Sequence, residues 1–286
     1  MSAPNPAQDA PYTERTPRVA AARALLRRRD RERAGRFLVE GAQAVREALR
    51  HGSVRELFVT ERAVGRHPEL LGVGDVRVSV ITERAAAGLS DTASPQGIVA
   101  ICSLVGRPAQ EALRGARLAA VLAEVADPGN AGAVLRVADA AGAGAVLFAG
   151  DTVDPHNGKC VRASTGSLFH LEVGVEPSLP RAIAACHQAG LQVLAADAGT
   201  GDDLDDVIDA GTLALPSAWL FGSEAHGLDS ESLAAADLTV AIPLHGRAES
   251  LNLAAAAAVC LYASARAHRR PQPPRGSHTT ADEPIT

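Results

Sequence analysis

The second half of the chain carries the pattern that most restricts its fold. Five runs, "LAAVLAEV" (118–125), "GAVLFAG" (144–150), "LQVLAAD" (191–197), "SAWLFG" (217–222) and "LTVAIPL" (238–244), are almost continuously apolar. None shows the apolar/polar alternation of a strand with one wet face. Between them lie helical segments such as "PGNAGAVLRVADAAGA", with Pro128 near its first turn and glycine at its end, and "LPRAIAACHQAG". Continuous apolar strands separated by helices predict a parallel sheet covered on both faces. "LFHLEV" reads as a further strand.

The first half is patterned differently. "RVAAARALLRRRDRERAGR" reads as an arginine-dense helix, "FLVEG" as a strand, "AQAVREALRHG" as a helix ending at Gly52, and "VRELFVT", "DVRVSVIT" and "QGIVAICSL" as strands. This predicts a small α/β domain over 18–105, a linker over 106–116 and a parallel-sheet domain over 117–268. The Pro-rich polar ends, 1–17 and 269–286, are expected to be disordered.

Aromatic residues make up only 3% of the chain, so the core must be aliphatic. Cys102, Cys160, Cys186 and Cys260 are far apart, with no C-x-x-C pair and no adjacent histidine cluster. They are expected to be buried free thiols of a reducing compartment rather than zinc ligands. The N-terminal residues lack the apolar core of a signal peptide, and no run is long and charge-free enough to span a membrane. A cytoplasmic location follows as an expectation. The net charge of -5 means that any nucleic-acid surface must be local.

In open parallel sheets, ligands bind beyond the carboxyl ends of the strands. Three such ends carry glycine and a carboxylate together, two of them with an asparagine as well: "ADPGNAGAVLR", "SEAHGLD" and "HGRAESLN". The usual nucleotide and hydrolase signatures are missing. "AGAG" (141–144) precedes its strand, "GTG" (199–201) lacks a third glycine, and neither a Walker A motif nor a G-x-S-x-G elbow occurs.

Taken in order, "DPGNAGAVLRVADAAGA", "FGSEAHGLD" and "IPLHGRAESLNLAAAAA" resemble the three signature motifs of the SpoU (TrmH-like) RNA 2′-O-ribose methyltransferases of the SPOUT class. "VRASTGSLF" (161–169) is similar to that family's Arg-Ala-Ser segment. "RFLVEGAQAVREAL" and "SPQGIVAI" resemble the family's accessory RNA-binding domain, which is similar to ribosomal protein L30e. The resemblance implies a C-terminal α/β domain with a trefoil knot and a smaller L30e-like N-terminal α/β domain. It also implies S-adenosylmethionine as cofactor, a homodimer, and direct methyl transfer to a ribose hydroxyl without a metal. The third motif departs from the family at Leu253 and Ala254, where Val and Ser are common; a hydroxyl is lost.

By motif position, backbone groups at Gly222, Ile242, Leu244 and Leu251 are expected to hold the adenosine, and Asn130, Arg136, Glu224, Ser250 and Asn252 to form the catalytic set. The family gives Arg136 the key role, often as the base. A guanidinium hardly loses its proton, so orienting an RNA phosphate or stabilising a developing alkoxide fits better. Glu224 is read as holding Asn130 or Ser250, as complementing the sulfonium charge, or as a loop cap. Ser250 is placed to cap the last helix. His156, His226 and His245 have no second ligand at metal spacing and are read as incidental.

Arg162 and the N-terminal arginines, Arg27, Arg28 and Arg36 foremost but also Arg23, Arg29, Arg31 and Arg33, are candidate RNA contacts; a solvated helical face is the alternative. Ribosomal RNA is favoured over tRNA because the accessory domain resembles that of ribosomal-RNA-modifying members. A non-catalytic RNA-binding or assembly factor is the competing reading, and the intact motif residues argue against it.

Overall fold

A computed structural model describes residues 10–199 and 201–269. The first half builds a four-stranded sheet from β1 (Arg36–Glu40), β2 (Val54–Val59), β3 (Arg77–Val80) and β4 (Ile98–Ser103), in the order β1-β4-β2-β3. β4 runs antiparallel to β1 and β2, while β2 and β3 are parallel. The second half adds β5 (Leu118–Ala123), β6 (Ala145–Ala149), β7 (Glu172–Glu176), β8 (Gln192–Ala196), β9 (Asp202–Asp203), β10 (Ser217–Phe221) and β11 (Leu238–Ala241). These form one sheet in the order β7-β6-β5-β10-β8-β11-β9, with every pairing parallel.

The predicted coverage of both faces is visible along β5. Leu118, Ala120 and Leu122 enter one apolar cluster with helices Pro128–Ala141, Gly158–Ser164 and Leu253–Arg269. Ala119, Val121 and Ala123 enter the opposite cluster with helix Leu179–Gln188. Small helix residues let the neighbouring helices Pro128–Ala141 and Gly158–Ser164 approach closely. At Gly132 a Cβ would run into the Cys160 carbonyl of the neighbouring helix. All four cysteines are buried, and burial pushes each thiol up to about 12, so they act as small hydrophobes.

The first cluster also takes in Phe37, Val39 and Val45, so one apolar core is shared by both sheets. A polar contact crosses the same boundary. Arg31, buried to 5% exposure, donates to Asp154 Oδ2 from Nε at 3.0 Å and to the carbonyls of Leu25 and Leu26 at 3.1 and 2.9 Å. Segment 106–116 is packed rather than free. Arg107 pairs with Val173 and Val175 beside β7, and Ala109, Ala112 and Leu113 are buried against the second sheet.

Several expectations change. The arginine-dense start is two helices, Pro17–Ala24 and Arg28–Ala34, the second ended by left-handed Gly35. The first part of "LFHLEV" is a 3-10 turn, Ser167–Phe169, and the strand begins at Glu172. The described end of 1–17 departs from the disorder expected of it: Tyr12 joins the edge of the first sheet through bonds to Val80 O and from Thr82 N, at 2.8 and 3.0 Å. The rest of that stretch, and 269–286 beyond Arg269, lie outside the described residues. Among the described residues no helix is long and apolar enough to cross a membrane.

Candidate active site

Strand order creates the site. β10 is inserted between β5 and β8, so the carboxyl ends of β5, β10, β8 and β11 come side by side. The loops beyond them enclose a cleft of about 510 Å³, within the usual range for a small-molecule site. Asn130, Glu224, Ser250 and Asn252 line it, as do Gly222, Ile242, Leu244 and Leu251.

The first wall is the start of helix Pro128–Ala141. Asp127 caps it, accepting from Asn130 N at 2.8 Å, and Pro128 occupies a position where no N–H is needed. Asp127 is held by Lys159 Nζ at 2.6 Å. That bond and the Asn130 N–H lower its pKa below the ordinary aspartate value.

The second wall is loop 222–229. Ser223 and Gly227 exchange backbone bonds of 3.2 and 2.9 Å, and Gly227 takes a left-handed φ of 68°. The two arms of this turn pass so closely that a Cβ on Gly222 would meet the Gly227 carbonyl and Leu228 N. Glu224, at the tip, reaches back to the first wall. It accepts from Asn130 Nδ2 at 2.9 Å and from the N–H groups of Ala126 and Asp127 at 3.3 Å each. Burial raises its pKa, but these donors outweigh that and hold it below the ordinary glutamate value.

The third wall is 242–252. Residues 242–251 make no backbone–backbone hydrogen bond with any described residue, so their donors and acceptors stand free beside the cleft. Asn252 closes the stretch. Its Oδ1 accepts from Ala254 N at 2.9 Å and its Nδ2 donates to Asn130 Oδ1 at 3.0 Å. Asn252, not Ser250, therefore caps the last helix. Ser250 is exposed and bonds to no described residue. A carboxamide reaches the cap from the position next to the helix, whereas the Ser250 hydroxyl is two residues too early.

Arg136 does not line this cleft. Six residues after Asn130, it sits about 9 Å along the helix and roughly 120° around it. It is exposed and makes no ion pair or side-chain hydrogen bond among the described residues. The other basic candidates vary. Arg162 is matched by Glu40 Oε2 at 3.3 Å and by Asp91. Arg27 and Arg28 pair at the surface with Asp30 and Glu32. Arg36 is exposed at the start of β1. Arg31 is overturned as an RNA contact, because the Asp154 pair buries it.

The sequence reading missed a fourth strand end. Asp197 and Ala198, beyond β8, line the cleft; the Asp197 carboxylate accepts from Gly199 N at 3.1 Å. "DAG" after an apolar run is the available signal, since it repeats the carboxylate-and-glycine chemistry of the other loops.

A purine nucleoside fits these donors. The cleft offers unpaired backbone groups at 242–251 for base edges, an apolar bed from Phe221, Val240 and Ile242, and the carboxylates of Asp197 and Glu224 for hydroxyls or a cationic centre. This composition matches S-adenosylmethionine, with its adenine, ribose and sulfonium.

Comparison with known proteins agrees with this geometry. Residues 117–262 match the sequence model of the SpoU rRNA Methylase family, and residues 16–100 match an MRM3-like substrate binding domain. The chain is 34% identical over 239 residues to the Bacillus subtilis 23S rRNA (guanosine(2553)-2′-O)-methyltransferase RlmP, covering 83% of this chain and 92% of that one. It is 33% identical over 272 residues to a Streptomyces viridochromogenes 23S rRNA (uridine(2479)-2′-O)-methyltransferase, covering 89% and 91%. The crystal structure of the SpoU methyltransferase AviRb from S. viridochromogenes, in complex with AdoMet, superposes with a TM-score of 0.77 at 31% identity over 88% of this chain and 98% of that one.

Proposed function

The chain belongs to the SpoU rRNA methylase family, and on that premise we propose that it transfers a methyl group from S-adenosylmethionine to a ribose 2′-hydroxyl of ribosomal RNA. One observation carries the reading. The three motif loops and the end of β8 converge on a single cleft whose polar groups are tied by Glu224, Asn130 and Asn252.

S-adenosylmethionine supplies a methyl carbon already activated on a sulfonium. On transfer the S–C bond would break as the C–O bond forms, leaving a neutral thioether, and the ribose proton would pass to solvent water. Positioning is the main demand on the protein. The free backbone of 242–251 and Gly222 would hold the adenosine. Glu224 is ionised, but its oxygens already accept three N–H groups. It therefore serves as a strut between loops and as a negative charge near the sulfonium, not as a proton acceptor. Asn130 and Asn252 keep the first and third walls at fixed separation. Arg136, unpaired and outside the cleft, is available to bind an RNA phosphate and to stabilise the developing alkoxide.

The proposal assigns residues 18–105 to RNA substrate binding and 117–268 to methyl transfer, joined by the packed segment 106–116. Arg36, Arg27 and Arg28 are the exposed contacts for RNA phosphates; Arg162 would have to exchange a carboxylate partner to join them. A homodimer is supported by Val259 and Tyr262, which are 41% and 50% exposed on the last helix beside the cleft. The family's knotted threading and a cytoplasmic location belong to the same reading.

The test is methyl transfer from radiolabelled S-adenosylmethionine to ribosomal RNA, with ribose methylation mapped by resistance to alkaline cleavage. A single protected linkage is expected. Cofactor binding without transfer to ribosomal RNA or tRNA would favour the RNA-binding factor instead.

A further inference from the structure

Glu47 and His51 lie one turn apart on helix Ala42–His51, and His170 returns to the same place just before β7. The two oxygens of Glu47 face different neighbours. Oε1 accepts from Gln43 Nε2 at 3.2 Å and lies 3.7 Å from Arg50 Nη1. Oε2 faces two imidazoles: His170 Nε2 at 3.3 Å and His51 Nε2 at 3.8 Å.

Asp139, on helix Pro128–Ala141, faces the other side of His170, with Oδ2 2.8 Å from Nδ1. A carboxylate can only accept, so Nδ1 carries a proton. In the neutral ring Nε2 then presents its lone pair to Glu47 Oε2. Two lone pairs at that distance repel unless a positive charge stands between them.

We propose that Glu47, His51 and His170 form a binding site for a zinc-class divalent transition metal, with Asp139 orienting His170 from behind. The three ligand atoms lie within 4.8 Å of one another. Metal–ligand bonds of about 2.0–2.2 Å in a tetrahedron require ligand separations of roughly 3.3–3.6 Å. The Glu47–His170 spacing meets this already. The His51 side chain, 52% exposed, is free to close the remaining gap. Two imidazoles and one carboxylate favour zinc over magnesium or calcium. The carboxylate–histidine–metal arrangement through Asp139 fixes the tautomer that ligation needs. Water would complete the tetrahedron on the open side.

Glu47 and His51 come from the helix on the first sheet, and His170 and Asp139 from the second-sheet half. None of the four lines the methyl-transfer cleft. The metal would act as a clip between the halves, independently of the proposed reaction.

The competing occupant is a proton. Burial lowers the His170 pKa, and the carboxylates of Asp139 and Glu47 raise it by more. The experiment separates the two. The untagged full-length chain, stripped with chelator, is titrated with Zn²⁺ by calorimetry and with Co²⁺ by visible absorption. Stoichiometric saturable binding, a tetrahedral Co²⁺ spectrum and a raised thermal midpoint are expected. Asp139→Asn keeps every ligand and should weaken binding by about 10- to 100-fold. His51→Ala and His170→Gln should abolish saturable binding while cooperative unfolding shows the variants to be folded. No saturable binding at neutral pH, or binding indifferent to both histidine substitutions, would overturn the site. A thermal midpoint that depends on pH but not on metal would assign the gap to the proton.

Discussion

The side chains of Asn130 and Asn252 meet across the cleft, Asn252 Nδ2 donating to Asn130 Oδ1 at 3.0 Å. Because Asn130 Nδ2 is spent on Glu224 and Asn252 Oδ1 on Ala254 N, each carboxamide has one fixed orientation. The chain of bonds runs from the start of one helix, through the loop after β10, to the start of the last helix. Its members are mostly exposed, so it contributes more to geometry than to global stability.

Asn130→Asp tests that chain. The new carboxylate would face the Glu224 carboxylate where an N–H now donates. Cofactor affinity should fall at least 10-fold, with a loss of stability of about 1–2 kcal/mol. Calorimetric titration with S-adenosylmethionine and urea unfolding measure the two effects. An unchanged affinity would show that the Asn130 link is not needed to form the site.

Glu224 gives the site a pH dependence. Its folded pKa is lowered, so its contribution is complete above the ordinary glutamate value of about 4.3 and is lost as pH falls through the lower folded value. Cofactor affinity should stay flat from neutral pH down to the ordinary glutamate value of about 4.3 and decline only below it, as pH falls through the lower folded value. Glu224→Gln should flatten the acidic limb and lower affinity at neutral pH. Affinity titrations of both proteins from acid to neutral pH are the check.

Arg136→Ala should leave cofactor binding intact, because the side chain is outside the cleft, while methyl transfer falls by about 100- to 1000-fold, as when a transition-state donor is removed. Arg136→Lys should recover only part, since an ammonium cannot bind a phosphate with two parallel bonds. Single-turnover transfer rates decide this; a normal rate in Arg136→Ala would remove the residue from the reaction.

Gly222→Ala should close the turn against itself. The added methyl meets the Gly227 carbonyl and Leu228 N, and backbone cannot yield as a flexible side chain can. A destabilisation of about 1–3 kcal/mol is expected, with cofactor binding lost before global unfolding. Thermal unfolding with and without cofactor would show a midpoint that no longer responds to ligand.

Ser264→Ala probes the core beneath the site. The Trp219 indole N–H donates to Ser264 Oγ at 2.9 Å, and both residues have zero exposure. Without the hydroxyl a buried N–H is left unpaired, at a cost of about 1–3 kcal/mol. Urea unfolding should register this, with little effect on transfer rate at low temperature.

The inner strands of the second sheet were legible in the sequence because a strand buried on both faces cannot accommodate polar residues, and "LAAVLA" and "SAWLF" contain almost none; the edge strand β9, two aspartates, was not. The three loops were legible because glycine and a carboxylate recur after such strands, joined by asparagine in two of them. Strand order was not written locally. Only the folded chain inserts β10 between β5 and β8, which brings Asp197 into the cleft and sets Asn252 against Asn130. Cap choice also needed three dimensions: Ser250 and Asn252 are both good capping types, and the path of the loop selects the second. The arginines make the same point. Arg31, Arg28 and Arg36 belong to one basic stretch, yet one is buried on Asp154, one is paired on the surface and one stands exposed. Sequence fixes residue chemistry and local periodicity; which charges find partners depends on contacts between segments more than a hundred residues apart, as Arg31–Asp154 and Glu47–His170 are.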